Sequence, residues 1–107
     1  MSMRTFIAIL LASGLGVPSI HAGEIVIVQK GKAFVPSAIA AKVGDSLVFR
    51  NDDGVNHNAF SETKGLEFNL QAQAPGASNA VPLTGEGTAD IRCAFHPAMH
   101  LIVTVTK

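Results

Sequence analysis

Cysteine is nearly absent from this chain, since Cys93 is the only one among 107 residues. With no second cysteine, an internal disulfide framework is excluded. The chain also lacks a Cys-x-x-Cys-His motif, which excludes covalently attached haem. A lone cysteine leaves three interpretations: an intermolecular disulfide, a free reactive thiol, or a metal ligand.

Strong charge of one sign and the usual enzyme motifs are also missing. Basic and acidic residues number eight each and no basic run is present, so we expect no nucleic-acid partner. No serine lies in a nucleophile motif, and no glycine-rich loop leads from a strand into a helix to hold phosphate. Asp52 and Asp53 are adjacent in a turn-rich stretch, where side chains diverge and turn chemistry explains them. The sequence therefore offers no catalytic carboxylate pair.

The N-terminus has the pattern of an export signal. Arg4 supplies a positive charge, Phe6 to Ala12 form an apolar run, and Ala22 is the small residue that a signal peptidase requires. The run is shorter than the roughly 20 residues of a membrane span, and an uncleaved anchor is the alternative. No cysteine follows the run, which excludes a lipoprotein anchor there. We expect a cleavable signal peptide at residues 1–22 and one domain at residues 23–107, periplasmic or otherwise exported and free of the membrane.

The expected domain shows short apolar runs separated by turn residues and no sustained helical period, which is typical of an all-β sandwich or barrel. Glu24 to Gln29 is apolar on both faces and predicts a central strand. Ala33 to Val43 contains Pro36 and predicts an irregular or edge segment. The stretch from Asn56 to Ala80 is the least regular. Further strands are predicted at Ser46–Asn51, Leu66–Leu70, Ala80–Leu83, from Thr88 to Cys93 and from Leu101 onward.

Metal-ligating side chains are concentrated in one short loop between the last two predicted strands. Cys93, His96 and Met99 lie within seven residues, and Met99 is the only methionine beyond the predicted signal peptide. Alternation along the preceding strand directs Cys93 towards the core. His57, in the loop after an earlier strand, is the best candidate for a fourth ligand. Two histidines and one cysteine with a weak axial methionine are the ligands of a blue-copper electron-transfer site.

Several motifs then resemble the cupredoxin family of type 1 blue copper proteins over most of the expected domain. The Cys-to-Met spacing resembles amicyanin more than plastocyanin, and the chain looks closest to exported plastocyanin-like and methylamine-utilisation-type proteins. The motifs are Cys93-x-x-His96-Pro97-x-Met99, Phe34-x-Pro36-x-x-Ile39, Val43-Gly44-Asp45-Ser46-Leu47-x-Phe49-x-Asn51, His57-Asn58 and Phe68-Asn69-Leu70.

The resemblance implies a Greek-key β-sandwich, here a short variant, with one copper ion at one end. It implies that the backbone N–H of Asn58 donates a hydrogen bond to the thiolate of Cys93, a contact that tunes the metal. It also implies that His96 reaches the surface and passes electrons to a partner protein docked around it. The residues implied as copper ligands are His57, Cys93, His96 and Met99, and those implied in the docking patch are Phe95, Pro97 and Ala98.

These observations predict an exported, monomeric electron carrier rather than an enzyme, with a cytochrome, a dehydrogenase or a reductase as its redox partner. A binuclear copper centre of the oxidase type is excluded, because it needs a second cysteine. One alternative is a protein that binds Cu(I) for delivery or buffering without redox cycling. A weaker alternative is a thiol enzyme that uses Cys93 with His96 as the base.

His100 directly follows the predicted axial ligand Met99. It is interpreted as a non-ligand, and the alternatives are a rival ligand or a contact with a partner protein.

Overall fold

The computed structural model describes residues 23–107, and the predicted signal peptide at residues 1–22 lies outside this range. Within the described range the chain forms strands and no helix, so no helix there is long and apolar enough to cross a membrane. The strands are β1 (Glu24–Lys30), β2 (Ala33–Val35), β3 (Ala38–Lys42), β4 (Ser46–Asn51), β5 (Phe60–Ser61), β6 (Phe68–Asn69), β7 (Ser78–Pro82), β8 (Gly87–Arg92) and β9 (His100–Thr106).

The strands form two mixed sheets, as expected for the predicted Greek-key β-sandwich. The first sheet has the order β2-β1-β4-β7 and the second the order β3-β9-β8-β5-β6. Strand β1 runs parallel to β4, strand β3 runs parallel to β9, and the remaining pairs are antiparallel. The chain crosses to the second sheet between β2 and β3 and returns to the first between β3 and β4, so the parallel pairs β1–β4 and β3–β9 lie in different layers.

The core lies between the sheets and is built from alternate residues of the longer strands. Phe49 is fully buried, and its ring packs edge-on against Phe34 with centroids 5.9 Å apart. Such edge-to-face pairs add to the stabilisation that burial provides. In β8 the alternation continues into the next residue, so that Cys93 is buried behind Ile91 as predicted. Other fully buried core side chains are Ile27, Leu47, Leu101 and Val103.

Most of the predicted strands are present, and the differences lie in the central stretch. Strand β1 is internal to its sheet, and the segment containing Pro36 forms the edge strands β2 and β3, as predicted. Strand β7 begins at Ser78, two residues before the strand that was predicted at Ala80–Leu83. Strand β5 was not predicted, because two residues are too few to show an alternating pattern.

The hairpin of β8 and β9 positions the cysteine loop. Arg92 pairs with His100 in the antiparallel register, so the seven residues between them form the connection. Arg92 and His100 are the last pair of the ladder, so Cys93 is the first residue of the loop and Met99 is the last. Both side chains are buried. The sheet therefore fixes the two ends of the loop.

The turn that carries the chain from β3 to β4 is held by one carboxylate. Asp45 Oδ2 accepts a hydrogen bond from the N–H of Lys42 (2.9 Å) and Asp45 Oδ1 accepts one from the N–H of Gly23 (3.0 Å). These two bonds favour the charged form, the one from Lys42 more strongly, and they hold the pKa of Asp45 below its usual value. The charged side chain thus contributes to the stability of the turn.

We expect Asp45→Asn to lower the free energy of unfolding at neutral pH and to reduce the loss of stability in acid. Because the pKa of Asp45 is lower in the folded than in the unfolded protein, its contribution is complete above the unfolded value of about 4. The contribution disappears as the pH falls through the folded pKa. Urea unfolding between about pH 7 and pH 3 measures this slope, with the exposed carboxylate variant Glu24→Gln as control. Equal acid slopes for Asp45→Asn and the native protein would contradict the assignment.

Candidate metal centre

Three of the four predicted ligands converge at one end of the sandwich. One ligating atom each from His57, Cys93 and His96 lies within 4.8 Å of the other two. The Cys93 sulfur is 3.8 Å from His96 Nδ1, and the rings of His57 and His96 approach edge to face with centroids 4.9 Å apart. The arrangement brings together two imidazoles and one thiol from segments that are distant in sequence.

His57 is held by backbone pairing outside the named strands. Its N–H donates to the carbonyl of Gln73 (3.0 Å), and the N–H of Gln73 donates to the carbonyl of His57 (2.7 Å). The side chain of Asn51 shapes the preceding loop, because its amide donates to the carbonyls of Val55 (2.9 Å) and Gln73 (3.0 Å). These bonds fix the backbone of a residue that no sheet ladder holds.

The two nitrogens of His57 have different surroundings. Nε2 lies 2.7 Å from the carboxylate oxygen Oδ2 of Asp53. A carboxylate accepts hydrogen bonds and does not donate them, so the proton of a neutral His57 ring belongs on Nε2. Nδ1 is buried and has no hydrogen-bond partner within the described residues. A buried lone pair without a donor is costly, and a metal ion at this position would satisfy it.

Asp53 is the part of the site that the sequence did not reveal. Its carboxylate accepts hydrogen bonds from the N–H groups of Lys32 and Gly31 as well as from His57. These bonds, with Lys32 first and His57 second, hold the pKa of Asp53 far below its usual value, so it is an anion at neutral pH. The interpretation of Asp53 as turn chemistry alone was therefore incomplete. The only sequence signal was an acidic residue four positions before a candidate ligand.

Asn58 joins the two segments that supply the ligands. Its side-chain oxygen accepts a hydrogen bond from the N–H of Ala94 (3.0 Å), and its amide donates to Asn69 Oδ1 and to the carbonyl of Gln71 (2.9 Å each). The residue after His57 is thus tied to the residue after Cys93. The predicted bond from the Asn58 backbone N–H to the Cys93 thiolate stays a prediction.

Met99 lies at the end of the same loop and its side chain is buried. Its N–H donates to the carbonyl of His96 (2.9 Å), which closes a turn that contains Pro97. This turn fixes the spacing between His96 and Met99 along the loop. The predicted role of Met99 as an axial ligand stays a prediction.

His100 is directed away from the three converging donors. Its Nε2 contacts the carboxylate of Asp90, which also accepts hydrogen bonds from Arg92. Arg92 is the larger cause, and His100 a lesser one, of the lowered pKa of Asp90. Side chains of all three residues are about half exposed on the outer face of β8 and β9. This contact accounts for His100 without a ligand role.

The surface next to His96 is apolar. Phe95 is 50% exposed, and the neighbouring Pro97 and Ala98 are also exposed. His96 itself is partly exposed, whereas His57 and Cys93 are buried. The centre therefore has one edge that faces solvent, and this edge is the side of His96.

Curated relatives match most of this chain in sequence, whereas no protein-family model matches it. Plastocyanin from Lactuca sativa is 30% identical over 87 residues, which cover 71% of this chain and 88% of that protein. The chloroplastic plastocyanin from Pisum sativum is 29% identical over 87 residues, which cover 71% of this chain. That match spans about half of the pea protein, 52% of its length.

Solved structures share the fold. A purple cupredoxin from Nitrosopumilus maritimus superposes with a TM-score of 0.67 and 25% sequence identity, covering 76% of this chain and 98% of that one. The Cu(I) form of an M98A mutant of amicyanin superposes with a TM-score of 0.72 and 22% identity, covering 80% of this chain and 85% of that one. The overall fold is thus common to this chain and both structures.

Proposed function

The chain belongs to the cupredoxin family, and from this premise we propose that it is an exported carrier of single electrons with one bound copper ion. The plastocyanin relatives and the amicyanin and purple cupredoxin neighbours support the choice of an electron carrier rather than an enzyme. In this proposal the ligands are His57, Cys93, His96 and Met99.

The observation that carries the proposal is the set of donor atoms. One donor atom from each of two imidazoles and a thiol lies within 4.8 Å of the other two, and the buried Nδ1 of His57 has no partner in the part of the chain that the structure describes. Imidazole suits Cu(II) and soft sulfur suits Cu(I), so this donor set can hold the metal in both states. Bound copper would supply the exchange of one electron between Cu(II) and Cu(I). The residues present therefore fit the ion that the family implies.

The protein contributes rigidity and exclusion of water. His57 is fixed by its paired backbone and by Asp53, and Cys93 is fixed at the end of a sheet ladder. Because the fold holds these residues in place, their positions need to change little when the oxidation state of the copper changes. Burial of His57, Cys93 and Met99 keeps water from adding to the site.

We propose that the redox partner docks on the apolar surface around His96. This residue is the partly exposed member of the converging donors, and Phe95 beside it is half exposed. Electron-transfer encounters bury small interfaces, so a small surface of this kind suits short-lived association with a cytochrome, a dehydrogenase or a reductase. In the same proposal the carrier is a monomer of residues 23–107 in the periplasm or an equivalent compartment.

An optical and EPR spectrum of the Cu(II)-loaded protein tests the proposal. We expect strong absorption in the red from charge transfer between thiolate and copper, because the Cys93 sulfur is a direct ligand. The variant His100→Asn, which changes a histidine outside the centre, should give the same spectrum. A colourless Cu(II) complex with ordinary tetragonal EPR parameters would contradict the proposal.

Voltammetry of the same preparation tests the carrier role separately from copper binding. A carrier should show reversible and fast one-electron cycling with copper retained in both states. Transfer of Cu(I) to an acceptor, without reversible cycling, would instead indicate delivery or buffering of copper.

A further inference from the structure

We propose that Asp53 is a positioning residue for the copper centre and that its anionic carboxylate lowers the reduction potential by acting through His57. The inference rests on the proposed function, because it concerns the potential of the bound ion. Asp53 is not among the converging donors and lies on the far side of the His57 ring, at Nε2. Asp53 therefore acts on the metal from behind the imidazole of His57 and not as a ligand.

The carboxylate of Asp53 is held by three N–H groups and is largely shielded from solvent. Oδ1 accepts from the N–H of Gly31 (2.8 Å), and Oδ2 accepts from the N–H of Lys32 (2.9 Å) and from His57 Nε2 (2.7 Å). The side chain is 13% exposed. Both oxygens are thus committed to donors, and the carboxylate has no freedom to turn away from His57.

The turn between β1 and β2 supplies two of these donors. Lys30 pairs with Ala33, so Gly31 and Lys32 form a two-residue hairpin loop, and their φ angles are 62° and 55°. Positive φ at both positions is the geometry of a type I′ turn. Successive backbone N–H groups in a turn can form a concave site for an anion. Here the anion is the side chain of Asp53.

The parallel pairing of β1 with β4 brings this turn to the metal centre. The register ends with Gln29 opposite Asn51, and the N–H of Asp52 continues the ladder to the carbonyl of Gln29 (2.9 Å). Asp53 and Gly31 each lie two residues beyond that last pair, so they are neighbours. A hairpin distant from the cysteine loop in sequence thus supports a copper ligand.

The physical consequence concerns the balance between the two oxidation states. An anionic acceptor at Nε2 increases the electron density available at Nδ1, the nitrogen directed to the metal. The negative charge also interacts more favourably with Cu(II) than with Cu(I), because the Coulomb energy scales with the ion's charge. Both effects stabilise the oxidised form, and both lower the reduction potential.

An amide cannot replace the carboxylate without loss. All three groups facing Asp53 are N–H donors, and the NH₂ of asparagine would meet at least one of them. Asp53→Asn therefore removes the negative charge and weakens the hydrogen bond that His57 Nε2 donates to residue 53. The matched control is Asp52→Asn, because Asp52 is the adjacent residue and its side chain is paired with the exposed Arg50.

The first measurement is the reduction potential of the copper-loaded proteins. We expect Asp53→Asn to weaken binding of Cu(II) relative to Cu(I) about tenfold, which raises the potential by about 59 mV. Asp53→Ser, a second neutral variant, should shift in the same direction and serves if the amide variant does not fold. Asp52→Asn should retain the native potential. Native potentials for the neutral variants at position 53 would overturn the inference.

The second measurement uses metal-free protein and does not depend on the proposed function. Long-range ¹H–¹⁵N spectra at about pH 8, where imidazole is neutral, report which nitrogen carries the proton. We expect the Nε2–H tautomer of His57 in the native protein and in Asp52→Asn, and a mixture in Asp53→Asn. An unchanged tautomer in Asp53→Asn would overturn the positioning role. A colourless native Cu(II) complex would instead reject the copper site and leave this tautomer result intact.

Discussion

A Cys93→Ser protein is expected to lose the red absorption entirely while it still folds. The sulfur of Cys93 is the only thiol in the chain, and it lies 3.8 Å from His96 Nδ1. A serine hydroxyl is a hard and weakly acidic donor, so it cannot replace a soft thiolate towards Cu(I). We also expect copper affinity to fall by more than the roughly 100-fold that loss of a supporting contact can cause. Absorption spectra and competition with a copper chelator measure the two effects.

The variant Cys93→Ala serves as the folding control for this experiment. Cys93 is buried, so an unpartnered serine hydroxyl there costs about 1–3 kcal/mol, whereas alanine leaves only a small cavity. If both variants unfold cooperatively without metal, and neither shows the absorption after Cu(II) is added, the loss is due to the missing ligand and not to misfolding. Retention of the red band in Cys93→Ser would contradict a thiolate ligand.

Removal of copper is expected to cause the largest change in stability. Copper at a free concentration about a thousandfold above its dissociation constant stabilises the folded state by about 4 kcal/mol. In a domain of this size each 1 kcal/mol shifts the melting temperature by about 4–8 °C, so the metal-free protein should melt about 16–32 °C lower. The reason is that the donors meet only in the folded chain, where His57 is brought to the cysteine loop. Thermal unfolding with and without copper measures the shift.

The control for this shift is the Cys93→Ala protein titrated with the same metal. It retains both histidines but lacks the sulfur ligand, so most of the copper-dependent stabilisation should disappear. Equal shifts in the native and Cys93→Ala proteins would mean that copper binds elsewhere on the chain. The same titration with Asp53→Asn should give an intermediate shift, because that variant keeps every proposed ligand.

Much of the site follows from local pattern. Cys93, His96 and Met99 are close in sequence, so one loop must bring them near each other whatever the rest of the fold does. Alternation along β8 predicted that Cys93 would be buried, and the structure confirms this. The edge position of the segment around Pro36 was also predictable, because proline lacks the N–H that an internal strand needs.

His57 and His100 show that spacing along the sequence does not by itself predict which histidines lie near Cys93. His57 was chosen because it follows a strand, and its approach to Cys93 depends on a bridge to Gln73 that no sequence pattern indicates. His100 is directly adjacent to Met99 in sequence, yet alternation places it on the opposite face, beside Asp90. Sequence neighbours diverge in a strand, and residues far apart in sequence can meet where two loops cross.

By itself the sequence determined the all-β class, the loop that carries three of the proposed ligands, and the burial of its cysteine. These features depend on periodicity and on short-range spacing, which a linear pattern records directly. Only the tertiary structure decided the contacts of Asp53 with Gly31 and His57, because they arise from the parallel register of β1 and β4. A polar residue in a turn has no periodicity to show its direction, and its partner is set by which strands lie side by side.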